Sequence, residues 1–132
     1  MRGRKPELKA IEGGLSRLPP APSWLPPEGK AEWRRVVPAI RDRRTLTTAD
    51  LPMLEAYCLA AGTVRRAQAA ISSDGDLIAN EKGDKRRHPA FQTMFQALTE
   101  CRRLAAELGL TPASRNKAVA SDDDDELAGF DL

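Results

Sequence analysis

Residues 51–61 read "LPMLEAYCLAA", and at about 100° per residue their apolar members spread around nearly the whole circumference of a helix. Those members are Leu51, Met53, Leu54, Ala56, Tyr57, Cys58, Leu59, Ala60 and Ala61. A helix that is apolar all round has to be covered on several sides. A chain of 132 residues with 41% hydrophobic content supports one modest core rather than two. Two partner helices in so small a domain leave part of that circumference open, so the sequence predicts contact with a neighbouring copy of the chain. The continuation, "TVRRAQAAIS", returns to a single stripe through Val64, Ala67 and Ile71.

The start of this second helix is set by "TTAD", residues 47–50, where a hydroxyl can cap the helix and a carboxylate follows three residues on. Residues 48–72 are the predicted span. Before it, residues 28–43 place Trp33, Val36, Val37 and Ile40 at helical spacing, with arginines mostly on other faces. Pro38 lies inside that helix, where the missing amide hydrogen predicts a kink or a restart. After the second helix, "SSDGDLIANEKGDKRR" carries turn signals at Asp74-Gly75 and Lys82-Gly83 around Leu77 and Ile78, which fits a small two-stranded excursion or an ordered loop with a basic tip.

His88-Pro89 opens a third helix. Its stripe, Phe91, Met94, Phe95, Leu98, Cys101, Leu104, Ala105 and Leu108, alternates steps of three and four. Helices two and three are similar in length and are predicted to pack antiparallel. "LGLTPASR" then stops the third helix at Gly109, folds Leu110 back on its last turn and caps a short fourth helix with Thr111-Pro112. The expected fold is all-α. Its three main helices form a helix-turn-helix-like pair and a long antiparallel hairpin, with the small excursion between them and a short C-terminal helix.

Domain limits follow from composition. Residues 1–22 form a basic, proline-rich flexible arm, residues 23–119 the helical core, and residues 120–132 an acidic disordered tail. Five prolines in "PPAPSWLPP" exclude a helix or central strand there, and Trp24 and Leu25 are expected to dock the end of the arm on the body. The net charge of +2 conceals an asymmetry. Residues 121–132 hold six of the 19 acidic groups and none of the 21 basic ones, so the remainder carries about +8. That charge suits a polyanion as well as it suits an evenly solvated surface.

Several chemistries find no support. The chain has no P-loop; "EKGDKRR" lacks the leading glycine and the strand context. Cys58 and Cys101 have neither zinc nor disulfide spacing and read as buried free thiols of a reducing compartment. The lone His88 has no second ligand and reads as the residue that leads into a helix. "SDGDLIANE" lacks the alternating oxygens of a calcium loop. No nucleophile neighbours a base. The chain is therefore expected to be a non-enzyme without cofactor or metal, soluble and not attached to a membrane, since no run of 18 apolar residues occurs.

Five pieces in order resemble the small terminase subunit of tailed double-stranded DNA phages, of the P27 type. They are "RGRKP", the proline segment before "AEWRRVVPAI", "LTTADLPMLEAYC", "HPAF" and "LGLTPASR". The resemblance runs from Arg2 to about Arg115 and departs at residues 43–45, where the family often has glycine and this chain has Arg43, Arg44 and Thr45. It implies a ring-forming homo-oligomer in the host cytoplasm that binds double-stranded viral DNA. Such a subunit delivers that DNA to, or stimulates, a large subunit that carries the ATPase and nuclease.

Within that resemblance, Arg2, Arg4, Lys5 and Lys9 on the arm and Arg34, Arg35, Arg41, Arg43 and Arg44 on the first helix are expected to contact phosphates. Leu51, Leu54, Tyr57 and Leu59 are expected to pack within and between subunits. Leu127, Phe130 and Leu132, behind the acidic run, are expected to dock on the large subunit or fold back over the basic body. A small helical transcriptional regulator is the alternative reading, although its recognition helix would present polar side chains where helix two is apolar. A purely structural oligomer is a third.

Overall fold

A computed structural model describes residues 12–116. Helix α1 spans Pro27–Arg43 and, after a short connection with a 3₁₀ turn at Thr48–Asp50, α2 spans Leu51–Asp74. An antiparallel hairpin of β1, Leu77–Ala79, and β2, Lys85–Arg87, leads into α3, Ala90–Glu107. A last helical stretch covers residues 112–116. The expected architecture of three main helices, a small two-stranded excursion and a short final helix is thus the observed one.

Local chemistry explains each boundary. Pro27 occupies the first position of α1, where its missing N–H costs no hydrogen bond. At the head of α2 the Thr47 amide donates to Asp50 Oδ2 at 2.9 Å, and the Thr47 hydroxyl reaches the same oxygen at 3.1 Å. This pair tightens the chain into the 3₁₀ turn, so the α-helical geometry begins at Leu51, three residues later than the sequence reading. The end of α3 forms a Schellman motif. Gly109 takes φ 70°, its amide donates to the Ala106 carbonyl, and the Leu110 amide donates to the Ala105 carbonyl. The Thr111 hydroxyl then accepts from the Ser114 amide at 3.1 Å, starting the last helical stretch.

Two details differ from expectation. Helix α1 continues unbroken through Pro38, with no restart there; the ring sits on an exposed position and only one intrahelical bond is forfeited. Of the two apolar residues at the end of the arm, Leu25 is buried while Trp24 stays 56% exposed. The docking is completed from further upstream. The Trp33 indole N–H donates to the Pro19 carbonyl, the Leu15 amide donates to the Leu46 carbonyl, and Leu18 and Ala21 lie against the core.

The core joins Trp33, Val36 and Ile40 of α1 to Leu54, Tyr57, Cys58 and Ala61 of α2, closed by Leu46 and Leu108. Burying each large side chain contributes roughly 1.5–3 kcal/mol. Both α1 and α3 pack on α2. The crossing of α1 and α2 is tight. A Cβ placed on Gly62 would lie 2.6 Å from the Gly29 amide nitrogen, and one on Gly29 would lie 3.2 Å from the Cys58 carbonyl oxygen.

Helix α1 begins beside Gly62 and ends beside Gly109, so it runs back along only the first half of α2. The second half of α2 and the first half of α3 project beyond it with the β-hairpin at their tip. No residue of α3 is fully buried: Cys101, Leu104 and Ala105 pack on the core, whereas Phe95 and Leu98 remain 50% and 44% exposed.

Candidate nucleic-acid interface

The five arginines of α1 and its end fall into three groups. Arg34 and Arg41, seven residues apart, share one exposed stripe, and Arg44 follows at the C-terminal end of the helix. Arg41 has Asp42 at 3.5 Å; Arg34 and Arg44 make no ion pair among the described residues. Arg35 lies on the opposite flank and donates through Nε to Glu32 Oε1 at 2.7 Å, and this hydrogen bond raises its pKa. Arg43 is structural: its Nη1 donates to the Gly109 carbonyl at 3.1 Å, pinning the end of α1 to the cap of α3.

Arg44 closes the turn after α1 without a glycine. It adopts φ 52°, ψ 42°, left-handed, and its amide donates to the Ile40 and Arg41 carbonyls. A side chain pays a conformational penalty there that glycine would not.

Glu32 was not anticipated from the sequence. It is 3% exposed and accepts from the Tyr57 hydroxyl at 3.2 Å, from Arg35, and from Arg65 Nη2 at 3.4 Å. Arg35 is a local partner one helical turn on, but the other two, Tyr57 and Arg65, lie 25 and 33 residues away in α2, and no local pattern announces those pairings. Burial, reinforced by the Glu32 carboxylate, pushes the Tyr57 hydroxyl up to about 12, and the same causes push the Cys58 thiol to about 12. Neither thiol is bonded to another; Cys58 is buried as expected, whereas Cys101 is only partly covered, and its pKa is also raised, chiefly by that partial burial.

Leu54 and Tyr57 are buried inside the protomer and offer no surface to a neighbour. Leu51 is partly covered, and Leu59 is 37% exposed beside the exposed Ala56. The open side of α2 is therefore narrower than its composition implies. Arg2, Arg4, Lys5, Lys9, Leu127, Phe130 and Leu132 lie outside the described residues.

A second cationic feature is the hairpin. In register, Leu77 faces Arg87, Ile78 faces Arg86 and Ala79 faces Lys85, and every strand residue is exposed. The basic residues thus lie on the second strand more than at the tip, where Asn80 Oδ1 accepts the Lys82 and Asp84 amides in a tight turn. At its base, His88 Nδ1 accepts the Ala90 amide at 3.0 Å, so Nε2 carries the proton it donates to Asp74 at 2.9 Å. Both ring nitrogens are thereby used in joining α2 to α3. Among the described residues no group of three His, Cys, Asp or Glu side chains could hold a metal ion, and no helix is long and apolar enough to cross a membrane.

A helical scaffold with an arginine flank on its first helix and a projecting basic ribbon defines a class of small helical proteins with two cationic surfaces. The family model described as phage terminase, small subunit, matches residues 29–125. The chain belongs to the phage terminase small-subunit family, and its role lies in phage DNA packaging in the infected host cell. No curated protein and no solved structure matches it.

Proposed function

We propose that this chain binds double-stranded viral DNA as a homo-oligomer, in a ring, in the host cytoplasm, and delivers it to or stimulates the large ATPase and nuclease subunit. It does so as a non-catalytic subunit. The observation that carries the reading is the exposed stripe of Arg34 and Arg41, continued by Arg44, on a helix whose other side is fixed in the core. Guanidinium groups held on a rigid helix can bind phosphates in register. Arg2, Arg4, Lys5 and Lys9 add further phosphate contacts, Leu51 and Leu59 contribute to subunit packing, and Leu127, Phe130 and Leu132 engage the large subunit.

The test is a gel-shift titration on one duplex across a salt series. Each phosphate contact contributes a slope of roughly 0.9 in log affinity against log salt. Arg34→Ala with Arg41→Ala is expected to lower the slope by nearly two contacts for each subunit that touches the duplex, whereas Arg43→Ala alters stability and leaves the slope nearly unchanged. An unchanged slope in the double variant contradicts the assignment.

A further inference from the structure

The projecting end of the molecule exposes an apolar surface that no described element covers. Leu77 of β1, on the same side of the ribbon as its partner Arg87, is 56% exposed, and Phe95 and Leu98 of α3 are half-exposed; Ile78 points to the other side. Arg87 binds these parts into one surface, because its guanidinium lies 5.4 Å from the centroid of the Phe91 ring and 5.8 Å from that of Phe95. Lys85 and Arg86 precede it on β2, and none of the three has a carboxylate within ion-pair distance among the described residues. The face is apolar at its centre and cationic along one edge, which specifies a ligand that is apolar and acidic.

We propose that this face is a docking site for the C-terminal segment of the chain itself, residues 122–132. The segment reads "DDDDELAGFDL": five consecutive acidic residues, then Leu127, Phe130 and Leu132 with one further carboxylate. Its acidic run complements β2, and its apolar side chains match the open ground between Leu77, Phe95 and Leu98. A second copy of the same face is a poor occupant, since a symmetric contact would set one Lys-Arg-Arg strand beside another. Distance permits the contact within one chain. Residues 117–121 can extend to about 17 Å and 117–126 to about 33 Å, against about 27 Å for the 18 residues of α3, so the acidic run passes along α3 and its far end, at Glu126, is the part that reaches β2. Bound there, the segment leaves the arginine stripe of α1 open and covers the apolar end of the hairpin. The proposal is independent of DNA binding; a segment so held must leave this face before it can engage a large subunit.

Hydrogen exchange read by mass spectrometry compares the full chain with one ending at Ala120. Amides between residues 77 and 98 are expected to exchange more slowly in the full chain, by about tenfold. Both the Phe130→Ser variant and the Lys85→Glu, Arg86→Glu double variant of the full chain should match the truncated chain. Equal exchange in the two chains overturns the proposal. So does protection that rises with protein concentration equally in both, which would assign the face to a second copy, or protection of α1 in place of the hairpin. Loss of DNA binding in the α1 arginine variants leaves this comparison unaffected, so the two readings fail separately.

Discussion

At the residue scale, Glu32 and Arg44 do the most to fix how α1 meets α2. Glu32 is a buried carboxylate satisfied by a hydroxyl and two arginines, and removing one member of such a group leaves others unpaired. Glu32→Gln should cost about 1–2 kcal/mol and Tyr57→Phe about 1 kcal/mol, with the double variant costing less than their sum. Urea unfolding of the four proteins checks this; strict additivity would show that the hydroxyl and carboxylate are not coupled. Arg44→Gly should be stabilising by about 0.5–1 kcal/mol, because the left-handed strain it removes exceeds the entropy it adds. A loss of stability would mean that the Arg44 side chain makes a compensating contact.

Alkaline pH tests the buried hydroxyl and thiols. Cys58 and Tyr57 each reach about 12 in the folded chain, from ordinary values of 9 and 10, and Cys101 is also raised. Above pH 9 the unfolded chain therefore holds fewer protons than the folded one, and stability falls as pH rises. Unfolding midpoints should be level from pH 7 to about 9, then drop by up to about 1.4 kcal/mol per pH unit for each group that ionises first in the unfolded state. A Cys58→Ala variant should show a shallower drop. Stability that holds to pH 11 would contradict the burial of these groups.

At the scale of elements, the contact of Gly29 with Gly62 is the narrowest point between helices. Gly62→Ala would push a methyl group into backbone and should destabilise by about 3 kcal/mol or more. Gly29→Ala, with more room, should cost less, and thermal melts of the pair read the order directly. The sequence made the helix ends and stripes legible because caps, prolines and three-four spacing are local signals. Gly109, Thr111 and Thr47 all act where those signals placed them. The close approach at Gly62 was not legible, since a glycine inside an apolar helix says nothing of what faces it 33 residues away. The same holds for Glu32, whose helical position predicts neither burial nor its partners in α2. The exposed half of α3 was hidden for a related reason: its apolar stripe is regular throughout, and only the length of α1 decides where the cover stops.

On the scale of the whole molecule, the parts divide between stability and contact. Arg43 and Arg35 hold the scaffold through Gly109 and Glu32, while Arg34, Arg41 and Arg44 face outward. The sequence marked all five arginines alike, because charge alone does not reveal which guanidinium is engaged at home. The packing expectation for α2 divides in the same way: Leu54 and Tyr57 close the core of one protomer, and Leu59 with Ala56 remains at the surface. An oligomer built on this chain would draw on that strip, because the projecting hairpin end is the face proposed for the C-terminal segment. The most direct test is the native mass of the full chain at micromolar concentration, with and without a duplex, in dilute buffer and at raised salt. The account predicts a closed multimer that takes up duplex in dilute buffer and releases it as salt rises; a monomer that ignores duplex at every salt concentration contradicts it.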